Sequence, residues 1–494
     1  MKRLYVRLFS LSSIYSFGNL AQSAAAVLLL PLYTHYLTPA DYGLLALMDL
    51  TILLIAKLVE PPLTNALNRF YYKPEYQARN GILLFNLLLV LVALTGVLAA
   101  AYWLSSDLLV RLLFQGDPAL RHVVQVYAAI LVLECLSSFL LTYIRLREWA
   151  KYFVFLSLSK LILSAGVIVY FLTVRRLGVA SVIYGQIAGL CYLTAMVLPA
   201  LLSKSTFRLS LSIVKEPLRF GFPMVISGYS NLLLESADRY ILNVLTSVSS
   251  VGLYSFGYKI ASLLNTAFIV PIHQAIFPTI YQIEGNPGEQ KRFIATTATY
   301  YYLTGIFMAL GVSLLARELI MRLASSAEFW PAWTVVPVIA FSYVQHGLGR
   351  FFKWGALLRN KTFDLSMMVL VSAIVNIGLN FLLIPRWGIL GAAFATLVAY
   401  EVWNGLKLYY CARFFDLHFE LGRLGHITVA GVGLYVLSLF VADTGSPVGD
   451  VLIKLLLLST YPPLLLLTGF LISEEKSYLR EMWLKAFAKL RAAM

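Results

Sequence analysis

Charged side chains stand inside long apolar runs of this sequence, and they are the residues that could do chemistry. In residues 51–63, TILLIAKLVEPPL, Lys57 and Glu60 interrupt a stretch that otherwise carries no charge. A lone lysine at bilayer depth costs roughly 2.5 to 3.5 kcal/mol on insertion scales, so water or a partner is expected. Three interpretations of Lys57 stay open: substrate contact in a wet cavity, an ion pair with Glu60, and snorkelling to the surface.

Other bases occupy similar positions. Lys160, Arg239 and Lys259 also stand in apolar runs, so with Lys57 they form a set that could bind an anionic substrate. His346 and Arg350, one helical turn apart, lie nearer the cytoplasmic end of their run. They are placed where a phosphate-bearing substrate would enter, although snorkelling is the simpler interpretation.

The acids in these runs suggest ion coupling or internal pairing. Glu235 and Arg239 are spaced i, i+4 and could neutralise each other, which would leave Asp238 unpaired. An unpaired carboxylate in a wet cavity could couple transport to Na⁺ or H⁺, but a structural pair between helices is an equal alternative. The same two interpretations apply to Glu134 and Glu401, which are isolated acids near mid-membrane.

Composition places the elements that carry these charges in a membrane. Of the 494 residues, 60% are hydrophobic and 13% are charged, whereas a soluble domain is about 25% charged. Apolar stretches of about 20 residues, enough to cross a bilayer, recur along the chain. They predict an all-α polytopic membrane protein whose fourteen transmembrane helices are centred near residues 25, 54, 92, 132, 162, 190, 231, 264, 306, 341, 373, 400, 433 and 461. The first, from about Ile14 to Tyr36, is too long for a signal-peptide core and should be retained.

Basic residues set the expected orientation. They cluster in alternate loops, near residues 69–79, 145–151, 204–219 and 350–361. By the positive-inside rule these loops and both termini are cytoplasmic, in a bacterial or archaeal cytoplasmic (inner) membrane. Basic loops beside an anionic leaflet also explain the net charge of +15 without nucleic acid. The end of the chain, 474–494, predicts an amphipathic helix at the membrane surface, or alternatively a partner-binding helix.

An internal repeat with an offset of 209 to 211 residues divides the chain. It predicts an N-terminal six-helix lobe at 1–205 and a C-terminal six-helix lobe at 206–415, followed by helices 13 and 14 at 416–473. Both halves enter the membrane in the same direction, which is a common transporter plan. Asp49 and Lys259 are matched by the repeat and could form a gate on the outer side. Other matched pairs are Gly43 with Gly252, Pro61 with Pro271, Arg176 with Arg386, and Gly178 with Gly388.

Four segments carry a family resemblance: YLTPADYGLLAL from Tyr36, ESADRYIL from Glu235, VGLYSFGYKIASLL from Val251 and IPRWGILGAAFAT from Ile384. With them the chain resembles the Wzx-type polysaccharide exporters of the multidrug/oligosaccharidyl-lipid/polysaccharide (MOP) superfamily. The resemblance implies a flippase that moves undecaprenyl-pyrophosphate-linked oligosaccharide to the outer leaflet for surface polysaccharides such as O-antigen. It also implies a cationic cavity between the lobes, with membrane lipids, and glycan polymerase or glycosyltransferases, as partners.

Several chemistries are not encoded. The sequence has no Walker phosphate loop, no dinucleotide glycine fingerprint and no HExxH motif, and its outer loops are short. We therefore expect no enzymatic activity, no metal and no organic cofactor. Two rival functions stay open: a cation-coupled drug antiporter of the same superfamily, and a non-transporting scaffold for glycan-assembly enzymes.

Overall fold

The structure is a computed structural model that describes residues 27–222, 224–283, 286–357, 361–413, 418–441, 446–471 and 475–476. Two predictions therefore fall largely outside the described residues. They are the first half of the predicted first helix, before residue 27, and the surface helix predicted at 474–494, of which only 475–476 are described.

Most of the described residues are helical, and there is no strand among them. Short 3₁₀ segments lie at Pro118–Leu120 and Ala327–Val335, and a π-helical segment lies at Asn265–Ile269. The α-helices are α1 Leu30–Tyr36, α2 Pro39–Ala56, α3 Glu60–Phe70, α4 Pro74–Gln77, α5 Asn80–Leu104, α6 Ser106–Phe114, α7 Arg121–Leu146, α8 Ala150–Thr173, α9 Val179–Leu202, α10 Leu211–Gly221, α11 Met224–Leu245, α12 Val248–Leu264, α13 Val270–Gln282, α14 Pro287–Leu314, α15 Ala316–Leu323, α16 Val336–Phe352, α17 Trp354–Leu357, α18 Thr362–Trp387, α19 Ile389–Ala412, α20 Leu421–Val441 and α21 Pro447–Leu467.

Eleven helical segments of the described chain are long and apolar enough to cross a membrane. Large apolar side chains such as Val97, Ile162 and Phe440 point outward, as expected where the surrounding solvent is lipid. The prediction of an all-α, multi-pass membrane protein is confirmed, while the count of fourteen spans stays a prediction. Three predicted spans are absent from the eleven: the first begins outside the described residues, α11 carries three charged side chains, and α16 has 17 residues.

The charged segment of the TILLIAKLVEPPL run lies where a helix is interrupted. The hydroxyl of Thr38 and the carboxylate of Asp41 cap the start of α2, which ends at Ala56; Lys57–Val59 form a turn before α3. The cause is Pro61–Pro62, because proline has no N–H to donate and its ring clashes with the preceding turn. The Leu54 carbonyl beside the turn accepts a hydrogen bond from the Tyr229 hydroxyl of α11.

The repeat-matched helix of the second half is irregular at the corresponding place. There α12 passes through the π-helical segment Asn265–Ile269 into α13, one residue before Pro271. A second matched pair also behaves alike. Gly178 has φ +55° and ψ −130°, and Gly388 has φ +54° and ψ −128°, a backbone conformation that glycine alone adopts readily.

Helices α2 and α12 cross in direct backbone contact at the matched glycines. A Cβ atom on Gly43 would lie 2.0 Å from the Val248 carbonyl oxygen, and one on Gly252 would lie 1.8 Å from the Pro39 carbonyl oxygen. Any side chain would force the helices apart, so glycine at both positions permits this approach. This end of the bundle lies away from the basic loops, and we call it the opposite end. It also contains a hydrogen bond from the backbone N–H of Ser325 to Thr34 Oγ1, at 2.9 Å.

The other end contains the basic loops, and we call it the basic end. Here Lys73 Nζ lies 3.0 Å from Glu216 Oε1 in α10, and the backbone N–H of Thr206 donates to the Gly81 carbonyl at 2.9 Å. Gly221, the last residue of α10, packs so closely on α3 that a Cβ atom would lie 2.2 Å from the Pro62 carbonyl oxygen. The segment that joins the predicted lobes is thus fastened to the first of them.

Candidate functional site

Two charged cavities lie inside the helical bundle. The first, of about 570 Å³, lies between helices of the N-terminal half. Its charged lining residues come from four helices and one turn: Asp49 from α2, Lys57 from the turn at Lys57–Val59, Glu60 from α3, Glu134 from α7, and Lys160 from α8. Three acids against two lysines give this lining an excess of negative charge. We call it the N-terminal cavity.

Lys57 and Glu60 form an ion pair in the N-terminal cavity. Lys57 Nζ lies 3.1 Å from Glu60 Oε2, and the Ser138 hydroxyl of α7 donates to Glu60 Oε1 at 2.6 Å. The side chains keep 32% and 20% of their surface exposed, so both still face the cavity. Of the three interpretations of Lys57, the internal ion pair is the contact that the structure contains.

Lys160 differs from Lys57 because no carboxylate lies within 4 Å of it in the described part of the chain. Gly189 of α9 leaves room for its stem, since a Cβ atom there would lie 3.2 Å from Lys160 Cγ. Asp49 accepts hydrogen bonds from the Tyr127 hydroxyl at 3.2 Å and from Gln186 Nε2 at 3.4 Å. Asp49 and Lys259 attract each other electrostatically across α2 and α12.

Arg239 has a different partner from the one predicted. Its Nη1 lies 3.5 Å from Asp238 Oδ1 and donates to the Glu235 backbone carbonyl at 3.0 Å, so the i, i+4 carboxylate pairing with Glu235 is wrong. The reason is that its guanidinium lies over the Tyr258 ring, 4.3 Å from the centroid, beside Asp238. Asp238 also accepts a 2.5 Å hydrogen bond from the Tyr254 hydroxyl. Neither residue is free in this structure.

The second cavity, of about 460 Å³, lies in the C-terminal half towards the basic end. We call it the C-terminal cavity. Its lining includes Glu235, His346 and Arg350, which the sequence singled out, and adds Lys353 and Lys407. Three basic side chains thus line this cavity with one acid, the reverse of the N-terminal cavity.

Sequence reasoning missed Lys353 and Lys407 for understandable reasons. Lys353 follows α16 and reads as a loop residue, and Lys407 stands near the end of an apolar helix, where a snorkelling lysine is ordinary. One sequence signal could have pointed to Lys407: Trp403 lies one helical turn before it, close enough for the indole ring to contact the ammonium. The ammonium of Lys407 lies 3.8 Å from the Trp403 ring centroid.

The four predicted substrate-binding bases do not share a cavity in the described residues. Lys57 and Lys160 line the N-terminal cavity, whereas Arg239 is buried beside Asp238 and Lys259 lines neither cavity. Among the predicted coupling acids, Glu134 lines the N-terminal cavity, but Glu401 is exposed and lines neither. Within the described ranges, no group of three His, Cys, Asp or Glu residues could hold a metal ion.

Comparison with known proteins gives a consistent set of similarities. Residues 34–330 match the sequence profile of a family described as polysaccharide biosynthesis protein. Over 265 residues the chain is 23% identical to the probable low-salt glycan biosynthesis flippase of Haloferax volcanii. That alignment spans 53% of this chain and 56% of the relative, so it reaches little more than half of the relative's length.

Solved structures share the fold. The lipid II flippase MurJ, in an inward closed conformation, superposes with a TM-score of 0.73 at 12% identity, over 92% of this chain and 98% of MurJ. An inward-facing multidrug resistance MATE family transporter of the MOP superfamily superposes with a TM-score of 0.62 at 11% identity, over 83% of this chain and 95% of the transporter. At these identities the likeness establishes a common fold.

Proposed function

The chain belongs to the polysaccharide biosynthesis protein family, and from that premise we propose that it is a flippase for a lipid-linked glycan. The substrate is undecaprenyl-pyrophosphate-linked oligosaccharide, moved from the cytoplasmic to the outer leaflet for cell-surface polysaccharide assembly. The glycan flippase relative and the fold shared with a lipid II flippase support this proposal. The observation that carries it is Lys160, which lies among membrane-spanning helices, faces a cavity of about 570 Å³ and has no carboxylate within 4 Å in the described residues.

The transport mechanism in this proposal is alternating access between two repeated lobes, 1–205 and 206–415. Three matched features support the repeat: the Gly43–Gly252 crossing, the shared backbone conformation of Gly178 and Gly388, and the interruptions that follow α2 and α12. The lobes rock against each other, so that the path for the substrate opens alternately to the two sides of the membrane. Helix interruptions at equivalent positions supply places where each lobe can bend.

The orientation in this proposal puts the basic end in the cytoplasm, as the positive-inside rule indicates. The opposite end then faces outward, and the state described here is closed on that side by the contact of α2 with α12. Cysteine labelling at Arg147 and Arg176 from each side of the membrane tests this assignment. Labelling of position 147 from the outer side would refute it.

The binding residues in this proposal are the lysines that line the N-terminal cavity. Lys160 attracts the pyrophosphate, and Lys57 does so in competition with its partner Glu60. The sugars occupy water, and the prenyl tail stays in lipid. Lysine is a point charge rather than a bidentate clamp, which suits a substrate that must leave again. Asp49 and Lys259 form the outer gate, His346 and Arg350 face the incoming headgroup, and Arg239 fixes α11 against α12.

The energy source in this proposal is the membrane potential or an ion gradient. A potential of 100 mV supplies about 2.3 kcal/mol per elementary charge. Asp238, Glu134 and Glu401 are the acids that could take up Na⁺ or H⁺. Glu134 is the best placed for coupling because it lines the same cavity as Lys160.

A second candidate function is a cation-coupled drug antiporter. Two observations favour it: the fold is shared with a MATE family transporter, and the N-terminal cavity holds three acids and two lysines. An acidic cavity attracts organic cations rather than a pyrophosphate.

Reconstitution into liposomes distinguishes the two candidates. Fluorescent lipid-linked oligosaccharide should become protected from a membrane-impermeant reagent in vesicles that contain the protein, faster than in empty vesicles. Failure of this reaction under every ion gradient and voltage, together with uptake of an organic cation, would replace the flippase proposal by the antiporter.

A further inference from the structure

The N-terminal cavity is lined by residues whose oxygen atoms lack hydrogen-bond donors. Both donors that reach Asp49, the Tyr127 hydroxyl and Gln186 Nε2, contact its Oδ1. Its Oδ2 has no hydrogen bond within the described residues, and the Glu134 carboxylate has neither a hydrogen bond nor a salt bridge there. Gln186 Oε1 is also buried without a partner. All of these unfilled acceptors belong to residues that line one space.

The orientation of the Gln186 amide follows from its neighbour. An amide oxygen turned towards Asp49 would meet a carboxylate that can only accept, so the NH₂ group must point that way. Gln186 Oε1 is then the atom left without a donor. A buried acceptor without a donor has given up its hydrogen bond to water and gained none in return. A ligand that donates a hydrogen bond would remove this cost.

The donors of the lining are largely committed elsewhere. Lys57 Nζ and the Ser138 hydroxyl both contact Glu60. Lys160 shares the cavity with Glu134, but the two side chains are too far apart for a salt bridge. The unfilled oxygens are therefore matched by an occupant that brings donors of its own.

The charges of Asp49 and Glu134 favour the same kind of occupant. The two carboxylates repel each other across the cavity. Lys259 attracts Asp49 from outside the cavity, whereas Glu134 has no base within salt-bridge distance in the described part of the chain. A further acid brought close to Glu134 would add like-charge repulsion inside the membrane, where a low dielectric screens it little.

We propose that the N-terminal cavity selects glycans whose first sugar, the one attached to the pyrophosphate, presents hydroxyl, amide or amine donors and carries no carboxylate. Sugar hydroxyls and amines donate to Glu134 and Asp49, whereas an ionised carboxylate can only accept. Since Lys160 attracts the pyrophosphate in the same cavity, the first sugar is the part of the glycan nearest these acceptors. The inference rests on the proposed function, because it names the class of glycan that the flippase carries.

Calorimetric titration of the detergent-solubilised full chain tests this selectivity without transport. The two ligands are short-chain prenyl-pyrophosphate disaccharides that differ only in the first sugar, a hexose or the matching hexuronate. The wild type should bind the hexose ligand about tenfold more tightly, since the hexuronate loses a donated hydrogen bond and adds like-charge repulsion. Glu134→Gln should bind the hexuronate ligand more tightly than the wild type does, a gain that misfolding cannot imitate.

Two controls remove charge outside both cavities. Glu328→Gln and Lys215→Met each remove one exposed charge, the second from α10, and should leave both affinities unchanged. The proposal is overturned if neither ligand binds, if the two ligands bind equally, or if Glu134→Gln leaves the hexuronate affinity unchanged. A cation held by the same oxygens would favour the hexuronate, so tighter binding of the hexuronate ligand by the wild type also overturns it.

Transport is measured separately, in liposomes that contain the corresponding long-chain lipids. Selective binding of the hexose ligand without flipping above that of empty vesicles would refute the flippase proposal and leave the selectivity standing. Flipping of both lipids together with equal affinities would refute the selectivity alone.

Discussion

At the scale of single residues, Lys160 differs from Lys57 and Arg239 in having no acidic partner among the described residues. Lys57 is offset by Glu60 and Arg239 by Asp238, whereas no acid within reach of Lys160 in the described residues neutralises it. A paired base keeps little attraction for a further anion, because its field is already compensated. An unpaired one retains the full charge at the position where a substrate headgroup would pass.

Replacing the two cavity lysines should therefore have unequal effects. Lys160→Met should lower the initial flipping rate about tenfold, the loss of roughly one charge-assisted contact. Lys57→Met should lower it less, because Glu60 already neutralises that charge. Rates of lipid-linked oligosaccharide flipping in liposomes measure both, with Lys215→Met as the control. A larger loss for Lys57→Met than for Lys160→Met would contradict the assignment.

The sequence predicted some of these residue contacts and not others, for a physical reason. The Lys57–Glu60 pair was one of three open interpretations, since both groups lie within one turn. The partner of Arg239 was predicted wrongly, because spacing along α11 offers Glu235 but cannot reveal the Tyr258 ring that α12 brings over the guanidinium. Lys407 escaped notice because its burial depends on Gly349 in a distant helix.

At the scale of secondary-structure elements, α10 is held by a pH-sensitive contact of Glu216 with Lys73 and Tyr76, which we call the clasp. Glu216 accepts hydrogen bonds from the Tyr76 hydroxyl at 2.8 Å and from Lys73 Nζ at 3.0 Å. These two donors lower the pKa of Glu216, and the hydrogen bond to Glu216 raises the pKa of Lys73. Partial burial, together with the same carboxylate, raises the pKa of Tyr76 to about 12.

Acid should release the clasp. Because the pKa of Glu216 is lowered in the folded state, its contribution is present above the usual carboxyl value of 4.5 and is lost as the pH falls through the lowered pKa. The Lys73 contribution persists in acid and is lost only as the pH rises through its raised pKa. Hydrogen exchange of residues 211–221, corrected for the intrinsic rate, should show extra opening in acid for the wild type. The Glu216→Gln protein should be equally open at neutral and acid pH, and an identical pH response of both proteins would disprove the clasp.

The crossing of α2 and α12 makes a second prediction at this scale. Gly252→Ala places a methyl group 1.8 Å from the Pro39 carbonyl oxygen, and overpacking of this kind costs about 1–3 kcal/mol. Gly96→Ala is the matched control, because nothing lies within 4 Å of a Cβ atom there, and it should stabilise α5 by about 0.4–1 kcal/mol. Thermal unfolding should thus shift in opposite directions for the two variants. Equal shifts would mean that the helices do not meet as described.

Several elements were foreseeable because their causes are local. Pro61–Pro62 predicted a disturbance of the backbone, and the helix is interrupted at Lys57–Val59, just before these prolines. No local sequence pattern predicted the π-helical segment at Asn265–Ile269. The only indication was the repeat, which pairs Pro271 with Pro61. The contact of Gly43 with Gly252 was also hidden, since the repeat matched the two glycines without indicating that they touch.

At the scale of the whole molecule, the membrane class and the family resemblance were available from the sequence, and both are confirmed. Hydropathy depends on composition along the chain, which a sequence displays directly. The cationic cavity between the lobes stays a prediction, whereas the opposite charge of the linings of the N-terminal and C-terminal cavities was not foreseen from the sequence. Which helix faces share a space depends on packing between distant segments, and no periodicity reports it.

The central claim is that substrate passes by alternate opening of the two ends of the bundle. Cysteines at Thr34 and Ser325 would join the predicted lobes at the opposite end, where the hydroxyl of one lies 2.9 Å from the backbone nitrogen of the other. The variant is made in a background without Cys135, Cys191 and Cys411. A control pair at Ser247 and Ser250, whose hydroxyls lie 3.1 Å apart at the same end, links positions within one lobe.

The deciding measurement is the flipping rate of lipid-linked oligosaccharide in liposomes before oxidation, after oxidation and after reduction. The account predicts that the cross-lobe disulfide stops flipping, that a reductant restores it, and that the control pair flips throughout. Flipping that continues unchanged with the opposite end locked would contradict the account.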